Sequence, residues 1–502
     1  MFDFLKKRPM LLCAIVASAL SVVGIFAEKA LLYFCPVLLF LIFIMFYKSV
    51  RVEIILAFIL VLLVGVSTLF SIKSVNNAIL LNNKTCKGEF VVVENPTNYG
   101  NYYTATLQTV NSGTLKKGSK ITVTFNSGEM QLGEYVNATI SLTSLQNNPL
   151  KYTYYSNKIF LRGNVKNHTS RNKFDIVLKT LGEIRDYIKK NIFEFYGNRE
   201  AATMLALITG NKDYFTNDFY NNVKSAGVAH TMVVSGMHLS IIVSLGLYLT
   251  KKLFYNRYFK ALLILFVTLV VMAICGFTMS IMRAGVTYLF MALGFVIGRE
   301  NTPENTLGTA VTVILFLNPF AIKNLGFLLS VISTFAILVV ALPVGKYLTT
   351  KLKNKWLQII VTAVLISLSA LVFTSPITIY VFGYVSNVSV LTNLLTSWAV
   401  TAAMYLCILG FLIPFSKPVL FFLSSLAIKY INFVINYFGE LPFAVSKTPQ
   451  WLAFVMAGVI VLILWILIAC KHKQDMVKLK EIYFKKYNER GKRKWQSLMK
   501  RR

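Results

Sequence analysis

Apolar runs of membrane-crossing length recur almost without pause from residue 228 to residue 470 of this 502-residue chain, and again before residue 71. No soluble core could hold so much. Hydrophobic residues make up 56% of the chain, charged residues 14%, and the mean hydropathy is +0.62. Roughly 20 apolar residues span the hydrocarbon of a bilayer, so the chain reads as a polytopic α-helical membrane protein. Candidate spans lie near 11–27, 30–47 and 53–70, then near 228–250, 261–279, 281–297, 306–320, 325–344, 356–375, 386–413, 419–438 and 451–470. That makes about twelve transmembrane helices.

Charge orients them. Lys and Arg number 52 against 20 Asp and Glu, a formal net charge of +32, and basic residues gather on cytoplasmic loops. Lys6, Lys7 and Arg8 precede the first span, and Lys48 with Arg51 follow the second. Lys251, Lys252, Arg257 and Lys260 form a later basic turn, and Lys346, Lys351, Lys353 and Lys355 another. Thirteen Lys and Arg crowd the tail over 471–502, which reads first as an anchor to anionic membrane lipids. Both termini are therefore expected in the cytoplasm of a multi-pass protein of the cell membrane, with the polar segment after the third span outside. A cleaved signal peptide is not expected, since Glu28-Lys29 and another apolar run follow the first span at once. The six cysteines show no C-x-x-C spacing, and only Cys86 falls in the polar segment, so no disulfide is expected within it.

The chain divides into N-terminal helices (1–72), an exported β domain (73–175), interfacial amphipathic helices (176–227), a main helical domain (228–470) and the basic tail. Within the exported segment, short alternating runs rich in Val, Thr and Tyr predict strands at 88–94, 102–110, 120–125, 135–142 and 159–165. Five strands in so short a segment suit a small β-barrel of the OB type. Tyr102, Tyr154 and Tyr155, interleaved with Lys116, Lys117 and Lys120, are candidates to stack bases and neutralise phosphates. Tyrosine is also an ordinary residue of a wet strand edge, and that reading stands beside the first.

The site candidates cluster at SAGVAHTMVVSGMHLS, residues 225–240, which carries two of the four histidines, His230 and His238, together with Ser235 and Gly236. Polar and ionisable groups inside a membrane segment mark functional sites by default; the competing reading is helix–helix adhesion through hydrogen bonds and close glycine packing. On a straight helix the two histidines would be about 12 Å apart, so a shared metal would require a break at Gly236. No metal site, no cofactor and no catalytic residue is expected: four histidines cannot build a dinuclear hydrolase, and no H-E-x-x-H or G-x-x-x-x-G-K-[ST] string occurs. Ser235 and His238 sit three apart, the spacing of a nucleophile and its base, without a nearby acid.

These residues resemble the ComEC-type competence channels, which pass single-stranded DNA across the bacterial cytoplasmic membrane. AGVAHTMVVSGMHLS is similar to that family's G-[IV]-x-H-x-x-x-[IV]-S-G-x-H signature through Gly227, His230, Ser235, Gly236 and His238. LALITGNK from Leu205 resembles a Leu-rich stretch ending in Gly-Asp, with Asn211 in place of the acid. Arg283-Ala284 resembles a [PS]-x-x-R-A segment lacking its proline; Gly298-Arg299, Asn318-Pro319 and GFLLS from Gly326 to Ser330 resemble G-R, [ND]-P and G-F-Q-L-S elements, with Leu328 where glutamine is usual. Asn148-Pro149, Tyr152, Tyr154-Tyr155 and Ile159 resemble the element that closes the family's exported β domain. The ordered set runs through most of the chain.

The resemblance implies a polar path for an anionic strand, lined by the AGVAH–MHLS segment and Arg283. It also implies an external DNA receptor protein and a cytoplasmic helicase-like motor as partners, since the chain has no ATP motif of its own. Arg283 could equally be a snorkelling anchor, and the tail a contact for emerging DNA. A homo-oligomer is compatible with the sequence. Many family members add a metallo-β-lactamase-like domain; here a basic tail follows the last span, and local strand degradation is not implied. Two readings from other classes stand beside the channel: a secondary transporter or flippase for a small or lipid-linked anion, and an intramembrane hydrolase at Ser235.

Overall fold

The computed structural model describes residues 8–26, 52–98, 102–126, 130–232, 234–250, 256–298 and 302–466. The span expected at 30–47, Arg299 and the basic tail lie outside them. Helix α1, Pro9–Phe26, opens on a proline, whose missing N–H costs a first helical turn nothing. Helix α2, Val52–Ile79, outlasts the span expected to end at residue 70. Its last turns carry Lys73, Ser74, Asn76 and Asn77, so the helix continues as its side chains turn polar.

Six strands follow: β1 (Thr85–Val92), β2 (Thr97–Asn98), β3 (Tyr103–Ser112), β4 (Lys120–Phe125), β5 (Glu134–Ser144) and β6 (Ile159–Phe174). Where a five-stranded barrel is expected, one six-stranded sheet forms in the order β1-β5-β6-β4-β3-β2, with a further ladder between β1 and β3. Strand β5 alternates buried and half-buried positions without a break from Glu134 to Leu142, the period-2 signature of a one-faced strand. Its buried face joins Phe90, Leu107, Ile121 and Val123 in the domain core. Strand β6 runs past its expected end at 165, because residues beyond it pair with the first half of β5, Ser170 opposite Val136 and Phe174 opposite Glu134. A short helix, α3 (Lys151–Ser156), interrupts the chain between β5 and β6.

Helices α4 (Ile176–Phe195), α5 (Asn198–Thr209) and α6 (Asn217–Ser225) come next. Asp175 caps α4 by accepting the Leu178 N–H at 3.0 Å. The main helical region then runs α7 (Ala229–Met232), α8 (Gly236–Thr250), α9 (Arg257–Ile274), α10 (Met279–Ile297), α11 (Pro303–Leu317), a 3-10 turn (Pro319–Lys323), α12 (Leu325–Ala336), a π turn (Ile337–Ala341), α13 (Leu342–Thr349) and α14 (Lys355–Phe382). The π turn precedes Pro343, which has no N–H for the regular helical ladder. The chain continues through β7 (Tyr384–Ser386), α15 (Ser389–Leu412), α16 (Lys417–Gly439) and β8 (Val445–Lys447), which pairs with β7, and then α17 (Trp451–Ile466). Met204, Leu207, Phe219, Phe421 and Ile431 share one core, locking α5 and α6 onto α16.

Among the described residues, eight helices are long and apolar enough to cross a membrane. Phe266, Ile359, Phe433 and Trp465 stand exposed on outward faces of these and neighbouring helices, surface that an apolar solvent accommodates and water does not. The fold is that of a helical membrane protein. Of the twelve expected spans, the one near 30–47 lies outside the described residues; eight of the other eleven are found as long apolar helices, and three are not. The run at 228–250 is broken into α7 and α8. Helix α11 has 15 residues and buries Leu307, Ala310, Val311 and Ile314 against its neighbours. Helix α17 is described as far as Ile466, before the expected end of its span at 470.

Candidate functional site

The break between α7 and α8 is built locally. The Ser235 N–H donates to His238 Nδ1 at 3.1 Å, and Ser235 Oγ lies 3.1 Å from the same nitrogen. A residue at the third helical position reaching back to the N-cap amide is the logic of a capping box, with histidine in the place usually held by Glu or Gln. Because Nδ1 accepts, the neutral ring carries its proton on Nε2. That nitrogen is buried without a hydrogen-bond partner. The Ser235–His238 contact that a hydrolase would need is therefore present, but the nitrogen nearest Oγ already caps a helix, and His238 is fully buried.

Arg283 on α10 meets this break from the other side. It is 7% exposed, donates through Nε to Ser330 Oγ on α12 at 2.8 Å, and lies so near Gly236 that a β-carbon there would be 2.8 Å from Nη2. Gly236, Arg283 and Ser330 thus converge from α8, α10 and α12. None of the ion pairs among the described residues involves Arg283. A buried cation without a carboxylate is costly, and the guanidinium presents donors suited to an oxyanion.

His230 faces a different neighbour. Its Nε2 lies 3.4 Å from Asn393 Nδ2 on α15. Just before it, Gly227 has φ +73°, and a β-carbon there would stand 2.7 Å from Ser386 Oγ. Ser386 Oγ in turn donates to the Ser225 carbonyl at 2.7 Å. Ser386, Ser389 and Asn393 form the polar wall opposite the broken segment, and sequence reasoning missed them. Ser386 ends β7, while Ser389 and Asn393 lie one turn apart on α15, so no single helical period in the sequence unites the three.

Asn318 and Pro319 do not line the break; they hold the β domain. Asn318 Nδ2 donates to the carbonyls of Tyr155 and Ser156, at 2.9 and 2.7 Å, while its Oδ1 accepts the Phe320 N–H at 3.1 Å. Asn324 adds a bond to Ser156 Oγ at 2.8 Å. Pro319 is buried at the start of the 3-10 turn, and Gly326 is exposed near the start of α12.

The same joint removes Tyr155 from the base-stacking candidates. Its ring is 4% exposed and packs on Phe320, with centroids 5.2 Å apart. Burial, then Tyr152, holds its hydroxyl above the ordinary tyrosine value. Tyr154 is half-buried beside it, Tyr102 is exposed, Lys116 and Lys117 are exposed in the β3–β4 turn, and Lys120 is half-buried. Tyr102 adjoins the Tyr103–Phe125 end of that hairpin and the lysines the Gln108–Lys120 end, roughly 17 Å away at strand rise. The six do not form one patch.

A bundle of apolar helices around a broken segment, with a buried arginine at the break and a sheet domain docked on one turn, defines a helical membrane protein with a polar site in its interior. The chain belongs to the competence protein family, whose model matches residues 207–473, just over half of it. It is 27% identical to an uncharacterized protein of Mycoplasma genitalium, over 53% of this chain and 62% of that one. The homolog of that protein in Mycoplasma pneumoniae is 28% identical over 39% of this chain and 48% of its own. ComE operon protein 3 of Bacillus subtilis is 24% identical over 41% of this chain and 26% of its own. The chain spans less than two thirds of the length of each of these relatives. No solved structure matches it.

Proposed function

We propose that this protein passes single-stranded DNA inward across the cell membrane during natural transformation. The observation that carries the reading is Arg283: an arginine buried without a carboxylate, laid against the bare backbone of Gly236 where a helix is interrupted. Interrupted backbone and buried charge at membrane depth are tolerated where they line a path for polar cargo, and a phosphodiester supplies the oxyanion this site lacks. His230 and Asn393 continue the polar wall. The family membership and the likeness to a ComE operon protein support DNA as the cargo.

The protein is multi-pass, with both termini in the cytoplasm and the sheet domain outside, as its basic turns favour. We read that domain as OB-like: the β1–β3 ladder joins the ends of the run β1-β5-β6-β4-β3, and β4 with β6 is its parallel pair. Helix α4, with Ile176, Val177, Ile184 and Tyr187 exposed, lies in the interface. An external receptor delivers the strand, a helicase-like motor draws it in, and the basic tail rests on anionic lipid. In the native host, deletion should abolish internalised labelled DNA while sparing surface-bound DNA, and Arg283→Gln should reproduce the deletion at normal protein level. Uptake of a small anion that disappears with the deletion, with DNA entry unchanged, would instead make the protein a transporter.

A further inference from the structure

The outer face of the β domain carries a groove of about 560 Å³ across β1, β5 and β6, within the size range of small-ligand sites. Its floor follows from register. Glu89, Asn137 and Thr169 face one another in one cross-strand row, and Lys87, Thr139 and Asn167 in the next. Neighbouring strands are about 4.8 Å apart and the rows about 7 Å, which makes a small grid of polar side chains. Asn137 and Thr139 occupy the positions of β5 that alternate with its buried core residues, so they point away from the core. Asn111, from β3, closes one end.

The chemistry of the grid is specific. Asn111, Asn137 and Asn167 each offer a carboxamide that both donates and accepts, and Thr139 and Thr169 offer hydroxyls with the same double capacity. Arg171 is already paired with Glu89 at 2.8 Å, which leaves Lys87 as the one lysine or arginine of the lining outside an ion pair among the described residues. The one aromatic ring on the wall, His168, is set edge-on against Phe125 at 6.0 Å. Beyond the groove, the Lys173 ammonium covers the face of Tyr135 at 5.0 Å. Nucleic acid needs free cations and open ring faces, and this groove offers neither in quantity. A ligand with many neutral hydroxyls needs groups that donate and accept at close, regular spacing.

We infer that this groove is a saccharide-binding site, taking a neutral, hydroxyl-rich chain of a few sugar units across β1, β5 and β6. The site shares no lining residue with the Tyr102 and Lys116–Lys120 candidates or with the broken helix, so it stands whether or not the chain transports DNA. Full-length protein in a detergent without a sugar headgroup is mixed with chitotriose, cellotriose or a single-stranded oligothymidylate, and binding is followed by saturation-transfer NMR. Saturable binding of a trisaccharide, insensitive to added salt, is expected. It should weaken roughly tenfold on losing two hydrogen-bonding side chains, in Asn137→Ala with Asn167→Ala and equally in Thr139→Ala with Thr169→Ala. The second pair serves if the first fails to fold. Absence of saturable trisaccharide binding by the unaltered protein overturns the inference, as does undiminished binding in folded variants. So does displacement of the sugar by oligothymidylate with an affinity that falls steeply with salt, which would make the groove a nucleic-acid interface.

Discussion

The guanidinium of Arg283 rests on Gly236, with room for no more than a hydrogen between them: a β-carbon at Gly236 would stand 2.8 Å from Nη2 and 3.1 Å from Ala284 Cβ. The glycine in S-G-M-H therefore does two things at once. It starts α8 at the break, and its missing side chain is the space that the arginine occupies.

Gly236→Ala should consequently act on the arginine rather than on the helix. Alanine favours helix over glycine by about 1 kcal/mol, whereas forcing a methyl into a packed contact costs about 1–3 kcal/mol. The expected outcome is a protein present at near-normal level with surface DNA binding retained and internalised DNA sharply reduced. Ser330→Ala, which removes the Nε acceptor without adding bulk, should give a milder defect of the same kind. Equal transport by both variants and the unaltered protein would separate Arg283 from the pathway.

Gly227→Ala should be far more harmful, for a different reason. Its φ of +73° disfavours any β-carbon, and that carbon would also meet Ser386 and Ser389. The conformational cost is about 1–2 kcal/mol and the overpacking cost about 1–3 kcal/mol. Ser389→Gly relieves part of the second cost and none of the first. The double variant should thus recover part of the thermal stability lost by Gly227→Ala in detergent. Additive losses would mean that the two residues do not touch.

Asn318→Leu tests the joint between the sheet domain and the helices. It leaves the Ser156 carbonyl without its donor in a buried site, at about 1–3 kcal/mol, while the Tyr155 carbonyl keeps the Lys158 N–H at 3.0 Å. The edge-on contact of the Tyr155 and Phe320 rings remains, so the domain should loosen rather than unfold. Limited proteolysis should cut sooner in the segment between β5 and β6 while the helical region stays resistant. Unchanged cleavage would show that the aromatic contacts alone hold the domain.

What was legible in the sequence was what short-range periodicity controls. The strand alternation over 135–142 and the apolar span near 11–27 depend on neighbours a few residues away, and both are found, the second as Pro9–Phe26. Tyr155 was misplaced because its burial comes from Phe320, 165 positions further on, and no local pattern separates a docked tyrosine from a wet one. Helix α3 was missed because Tyr and Thr favour strands, and its place is fixed by the Asn318 clamp on its last carbonyls. The late residues of β6, polar and turn-like by composition, become strand only through pairing with β5. At the site, Ser235, Gly236 and His238 could be singled out together because they are a local cap. Ser386, Ser389 and Asn393 could not, since their role exists only once α15 lies against the broken segment.

His238 separates helix capping from transport. Its Nδ1 holds the Ser235 amide at 3.1 Å while its Nε2 is buried without a partner. Glutamine offers a carbonyl oxygen that serves the cap as its usual occupant does, but it removes the imidazole. Leucine removes both, and loss of a cap costs about 0.5–2 kcal/mol. In detergent, His238→Leu should therefore unfold at a lower temperature than the unaltered protein, with His238→Gln close to the unaltered value. Uptake should divide them differently: both variants should lose internalised DNA if the ring serves the pathway. If His238→Gln transports normally while His238→Leu is unstable, the histidine is a cap alone, and the polar path runs along His230, Asn393 and Arg283 without it.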